Sequence, residues 1–246
     1  MKPRHDPAEL DALKELTIPT LANALETFGV IPPNEGFCDA TLKCIFPKLP
    51  TMVGYAVTAR VCTDQPPSSV RPGVSEPEYW QWIAGQPGPK VAVVQDIDSP
   101  PKGAMWGEWN SNVHRALGCV GMVTEGAARD FDGVEKLKFH FFCTAVLPTH
   151  GHGAFIDYGG SVRVAGLTVR TGDLLVGDMH GVLFIPPEVN LSKLAAVARE
   201  IDHLESEIFS FCQSKEFNVD GLADLDRSVA SRWPKPTGMA REQVTR

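Results

Sequence analysis

Three short apolar runs constrain this chain more than any other feature. Lys90-Val-Ala-Val-Val-Gln95, Cys119 to Thr124 (CVGMVT) and Phe141 to Leu147 (FFCTAVL) are each too short for a buried helix and too continuous for a strand with one wet face. Between the first two, Glu108 to Leu117 reads as a helix that stops at Gly118. A turn at Glu125-Gly126 and the pair Arg129-Asp130 follow the second run. Strands alternating with helices at this spacing predict an α/β core with parallel strands covered on both faces.

The flanking segments fit around that core. Asp6-Pro7-Ala8-Glu9 is a capping box with proline at the first helical position, and a second helix is predicted from about Ile18 to Phe28, with Gly29 as its stop. Val53, Tyr55, Val57, Ala59 and Val61 alternate strictly, which predicts a half-buried strand. The stretch Asp64 to Glu78, rich in proline and serine, reads as a surface loop, and the tryptophans Trp80 and Trp82 after it read as packing. From Ser161 the texture becomes short β segments: a hairpin turning at Ala165-Gly166, then DLLVGD and GVLFIP. Leu194, Val197, Ile201, Leu204, Ile208 and Phe211 then repeat at helical spacing, the stripe of one long helix against a core or a neighbouring subunit. Residues 1–230 are read as one domain and 231–246 as a polar tail.

Composition excludes several classes. Thirty acids against twenty-three bases give a net charge of −7, which disfavours general nucleic-acid binding. No apolar run approaches the roughly 18 residues of a membrane helix, and the charged opening MKPRHDPAELDALKEL lacks the apolar stretch of a signal peptide, so no membrane partner and a cytoplasmic location are expected. The six cysteines form no Cys-x-x-Cys, and several lie in apolar runs; they read as reduced, buried thiols.

The chemistry concentrates between Trp106 and Asp130. Glu108 follows a glycine at a predicted helix start, and Arg129-Asp130 lies just beyond the next strand, so both fall at the sheet edge where open α/β folds place ligands. A carboxylate there can hold a hard divalent cation, and an arginine beside it can fork onto a substrate carboxylate or a developing oxyanion. Alone, Arg-Asp is equally a surface ion pair or a helix cap. Trp106 and Trp109 flank Glu108 and are candidates for pocket walls. His150, His152 and His180 sit in glycine-flanked turns; His180 and His152 are kept as accessory candidates for a metal or an anionic substrate group.

The pattern as a whole resembles the RraA-like family, which contains 4-hydroxy-4-methyl-2-oxoglutarate aldolases and the regulator of ribonuclease activity A. That family shows a glycine-acid pair at a helix start and Arg-Asp 21 positions after the acid, as Glu108 and Arg129 stand here. Gly118, Gly121, Val123, Gly126, Arg129 and Asp130 supply its intervening G-x-x-G-x-V-x-x-G-x-x-R-D text. VGYAVTAR (Val53 to Arg60) and Gly166 to Pro186 match two further motifs, so the resemblance covers about residues 15 to 210.

The resemblance implies a swivelling β/β/α-type α/β fold with a long C-terminal helix, assembled as a homotrimer or homohexamer with sites shared between subunits. It implies a Mg²⁺ or Mn²⁺ ion held by Asp130, largely through waters that Glu108 orients. Arg129 would bind the 2-oxo acid and its enolate, and the backbone of Ala104, Met105, Trp106 and Gly107 would cradle the substrate carboxylate. The activity implied is that of a class II aldolase, a lyase that cleaves a 4-hydroxy-2-oxo acid or decarboxylates oxaloacetate through the enolate of pyruvate. Charge developing on that enolate is what a cation and an arginine would stabilise. The alternative is a non-catalytic regulator of the ribonuclease-binding type. One departure concerns an acid on the early helix, supplied in the aldolases by a neighbouring subunit: Asn23 stands at that position here, and an amide orients water but cannot act as a base.

Overall fold

A computed structural model describes residues 5–236. The chain opens with α1 (Pro7–Lys14) and α2 (Ile18–Glu26), followed by β1 (Lys43–Cys44), β2 (Met52–Cys62), α3 (Glu76–Ala84), β3 (Lys90–Asp96), α4 (Glu108–Ala116) and β4 (Cys119–Thr124). Next come β5 (Ala127–Ala128), α5 (Phe131–Lys136), β6 (His140–Cys143), β7 (Ala145–Val146), β8 (Ala154–Tyr158), β9 (Val162–Val164) and β10 (Leu167–Val169). The last elements are β11 (Leu174–Asp178), β12 (Gly181–Ile185), α6 (Leu191–Cys212) and α7 (Val219–Arg232). This is a mixed α/β domain with a long C-terminal helix, as the sequence leads one to expect.

The main sheet has the order β1-β6-β4-β3-β2-β11-β12, with β8 paired to β2. Strands β2, β3, β4 and β6 run parallel, so their carboxyl ends share one edge. β2 is the hub: β3 lies along one side, while β11 pairs with its first half and β8 with its second.

Both faces of the sheet are covered. On one, Leu13, Leu21, Leu25, Leu194 and Ile201 of α1, α2 and α6 pack on Val53, Tyr55 and Val176. Further along that face Tyr79, Ile83, Trp106 and Val134 pack on Val57, Ala59, Ala92 and Val94. On the other, Val162, Val164, Leu167 and Val169 of the β9–β10 hairpin cover Ala56, Val91, Val93 and Leu175.

The half-buried reading of β2 is therefore corrected: every residue but Arg60 is buried. On its even face Ala56 packs under the hairpin layer, and the Thr58 hydroxyl is held 2.6 Å from both the Gly160 carbonyl and Thr171 Oγ1. The run Phe141 to Leu147 breaks at Thr144 into β6 and β7, and β7 leaves the main sheet to pair with β5. The proposed loop is cut short by α3, capped by Ser75. The hairpin turns at Ala165-Gly166 as expected, both residues having positive φ.

Helix α7 runs past position 230, with Arg232 forking onto Glu207 of α6 and Trp233 packing on the first core cluster. The remainder of the proposed tail, 237–246, lies outside the described residues, as do residues 1–4. The cysteines are unpaired, and burial pushes Cys38 and Cys119 up to about 12 and Cys44 and Cys143 up to about 11, as inert core thiols require. Among the described residues no helix is long and apolar enough to cross a membrane.

Two histidines, buried His114 and half-buried His140, tie stability to pH. Burial lowers both His114 and His140 to about 4 from an ordinary value near 6.5. Between those values the unfolded chain binds more protons than the folded one, so their contribution is complete above pH 6.5 and drains as pH falls toward 4. Asp96, raised by burial from 3.8 to about 6, works in the opposite sense between those values, as does Glu125, also raised by burial. The two imidazole shifts, each from 6.5 to about 4, outweigh the one carboxyl shift of comparable size. The melting temperature should fall between pH 6.5 and 4, and His114→Gln/His140→Gln should flatten that slope; an unchanged slope would contradict the assignment.

Candidate functional site

The site grows from the start of α4. Its N-cap, Gly107, has no side chain with which to satisfy the first amides of the helix. Asp130 supplies the missing acceptor: its Oδ2 receives the Glu108 amide at 3.3 Å. A carboxylate at a helix N-terminus is favoured by both the free amides and the helix dipole.

Two local features make this approach possible. Asp130 itself adopts the left-handed conformation (φ 59, ψ 40), which aspartate tolerates better than most residues. Gly107 leaves the space, since a Cβ there would overlap Asp130 Oδ2. A second glycine seats the neighbouring acid in the same way, because a Cβ at Gly133 of α5 would overlap the Glu108 carboxylate.

The β5–β7 ribbon carries Arg129 to this point. Trp106 bridges to Ala128, and the Arg129 amide donates to the Trp106 carbonyl at 2.9 Å. The Arg129 side chain is one-third exposed, with Nε 3.6 Å from Asp130 Oδ2 and Nη1 donating to the Pro148 carbonyl at 3.5 Å. The loop after β7 closes the other side: Ala104 donates to the Thr149 carbonyl at 2.7 Å, and a Cβ at Gly103 would strike the backbone of His150.

The result is a small open pocket of about 170 Å³. Of the sequence candidates, Met105, Gly107, Trp109, Arg129, Asp130 and His150 line it, together with Glu76, Asn110 and Gly153. Asn110 donates to the Met105 carbonyl at 2.8 Å, bracing the turn. Trp109 is an exposed wall, whereas Trp106 is a buried core residue against His114 and walls nothing. Ala104 is buried and its amide is committed to Thr149, which leaves Met105 to Gly107 as the backbone stretch at the pocket. Glu108 lies beside the pocket, against α5, rather than in its lining.

The accessory candidates are scattered. His180 sits in the β11–β12 turn, bonded through its amide and Nδ1 to Asp178. β11 runs antiparallel to β2 with Gly177 opposite Met52, so this turn is at the edge of the sheet opposite Asp130. Asn23 lines a separate cleft of about 660 Å³ with Trp233 and Pro234. His152 shares a loop with His150 but is tied by its amide to the Thr63 carbonyl at 2.9 Å. Glu76, Asn110 and Gly153 were not legible as site residues, since nothing in their local pattern marks convergence.

Among the described residues no three His, Cys, Asp or Glu groups converge as a metal cage. The donor set fits a hard cation of a different kind, one that keeps most of its waters and takes a single carboxylate. Asp130 has an oxygen open to such a cation: Oδ2 is occupied by the Glu108 amide, and Oδ1 has no hydrogen bond among the described residues.

Fold and site define a class: an α/β domain with an Arg-Asp step against a helix N-terminus at the carboxyl edge of its parallel strands. The chain belongs to the RraA-like family, described as Aldolase/RraA, whose model matches residues 15–184. A Halalkalibacterium halodurans protein provisionally named 4-hydroxy-4-methyl-2-oxoglutarate aldolase is 32% identical over 104 residues, 40% of this chain and 47% of its own. An uncharacterised Methanocaldococcus jannaschii protein is 31% identical over 106 residues, 43% of this chain and 50% of its own. The match thus spans about half the length of these curated relatives.

Among solved structures, an uncharacterised Pseudomonas syringae protein superposes with a TM-score of 0.70 at 21% identity, over 91% of this chain and 95% of its own. Streptomyces coelicolor RraAS2, described as an unusual member of the RNase ES inhibitor RraA family, gives 0.63 at 22% identity, over 84% and 97%. At these identities the likeness is one of fold.

Gly107 is the position most exposed to test. Gly107→Ala should displace Asp130, move the Glu108 amide proton resonance upfield and cost about 1.5–3 kcal/mol, the range for a hydrogen bond to a charged group. Gly160→Ala, with open space at its Cβ, should be near neutral. Equal behaviour of the two variants would refute the contact.

Proposed function

We propose that this chain is a divalent-metal-dependent lyase that releases pyruvate from a 2-oxo acid, by retro-aldol cleavage of a 4-hydroxy-2-oxo acid or decarboxylation of oxaloacetate. The observation that carries this reading is Arg129 and Asp130 fixed together at the N-terminus of α4, on a pocket sized for a small acid.

Asp130 would hold a Mg²⁺ or Mn²⁺ ion, with Glu108 beside it to orient water. Bound there, the cation supplies electrophilic stabilisation of charge developing on the 2-oxo group. Arg129, anchored through its amide to Trp106, presents a guanidinium to the substrate carboxylate and to the oxygen on which negative charge collects. The Met105–Gly107 turn, braced by Asn110, sets the floor of the site, and exposed Trp109 supplies an apolar wall for the rest of the substrate. Asn23 is remote from Asp130 within one chain. Its role in this reading is at the site of a neighbouring subunit of a homotrimer or homohexamer, as an amide that orients water. The provisional aldolase name of the Halalkalibacterium relative supports the reaction class.

The test is pyruvate release from oxaloacetate and from 4-hydroxy-4-methyl-2-oxoglutarate with Mg²⁺, with Mn²⁺ and with chelator. Turnover should require the cation, and Asp130→Ala should lower kcat/KM by about 10²–10³-fold, as loss of one preorganised stabiliser does. Turnover indifferent to chelator and to Asp130→Ala would overturn the metal-dependent reading. No turnover of any 2-oxo acid would favour a binding protein of the regulator type.

A further inference from the structure

We propose that His150 is the general base that removes the hydroxyl proton in retro-aldol cleavage. The assignment rests on the lyase reading above and adds to it a side chain placed to take the hydroxyl proton. Retro-aldol cleavage needs a proton acceptor at the C4 hydroxyl. Asp130 is engaged with the Glu108 amide and the Arg129 guanidinium, and Glu108 lies against Gly133 beside the pocket. Two other titratable side chains line the pocket, Glu76 and His150.

The structure prepares His150 for this task in two ways. Its Nδ1 lies 2.7 Å from the Gly151 carbonyl, which can only accept, so Nδ1 carries the ring proton and Nε2 keeps a free lone pair. The loop that carries it is pinned over the substrate turn. The Thr149 carbonyl takes the Ala104 amide at 2.7 Å, the His150 carbonyl takes the Gly153 amide at 3.2 Å, and the His152 amide reaches Thr63. Glycines make that approach possible: Gly151 has φ +58, and a Cβ at Gly153 would overlap the Met105 sulfur. An imidazole at the pocket whose Nδ1 is bonded and whose Nε2 is free suits proton transfer.

The step balances without an added oxidant or reductant. Nε2 takes the C4 hydroxyl proton, and the O–H electron pair becomes the new C=O bond. The C3–C4 bond breaks, and its pair enters the C2–C3 bond to give the enolate of pyruvate. C3 then takes one proton, so the products are pyruvate and a second oxo compound. Oxaloacetate reaches the same enolate by losing CO₂ from C4, with no hydroxyl proton to remove. A base for the aldol therefore matters to one reaction and not to the other.

The experiment compares both reactions in the wild type, His150→Gln and Glu76→Gln with saturating Mg²⁺ or Mn²⁺, and measures pyruvate affinity by calorimetry. His150→Gln should lose retro-aldol turnover by about 10²–10⁴-fold. Its oxaloacetate decarboxylation and pyruvate affinity should stay within a few-fold of wild type, as should both reactions in Glu76→Gln. Equal loss of both reactions, loss of pyruvate affinity, no loss at all, or a selective loss in Glu76→Gln instead would each overturn the assignment. A wild type that releases pyruvate from neither acid would overturn the lyase reading, and the assignment with it.

Discussion

The hydrogen bond from the Glu108 amide to Asp130 is the contact on which the site depends. It joins the start of α4 to the start of α5 and so fixes the relative position of two consecutive α/β units. It turns one carboxylate oxygen inward, leaves the other without a donor among the described residues, and holds Arg129 alongside. A left-handed residue, a glycine N-cap and a second glycine under Glu108 are local features at odds with ordinary helix starts, yet all three serve this single approach. Strain and missing side chains of this kind concentrate where a chain is shaped around function.

Much of this was legible in the sequence because glycine spacing and apolar periodicity are local signals. The runs at Lys90 and Cys119, the stop at Gly118 and the hairpin at Ala165-Gly166 stand where the pattern put them, while the run at Phe141 splits at Thr144 because β7 turns away to pair with β5. β2 was misread because small residues facing a closely packed hairpin have the same alternation as polar residues facing water. Helix α3 was hidden behind a proline- and serine-rich loop, although Ser75 caps it. Helix α7 had no apolar stripe to announce it, since only Val229 is buried among its residues.

The histidines show the limit most clearly. His180 lies in a motif and His150 in a plain glycine-flanked turn, so local text favoured the former. Strand direction decides otherwise. β11 runs against the parallel strands and delivers His180 to the far edge, whereas the loop beyond β6 and β7 brings His150 to the same edge as Asp130. Convergence of this kind is a property of topology rather than of spacing, and Glu76 and Asn110 reach the pocket by the same route.

The most direct measurement is a crystal structure of the protein with Mn²⁺ and pyruvate, with the cation located by its anomalous signal. The account predicts manganese on Asp130, with the pyruvate carboxylate within hydrogen-bond reach of Arg129 and the Met105–Gly107 backbone. Manganese bound elsewhere, or pyruvate absent from this pocket at saturating concentration, would contradict it.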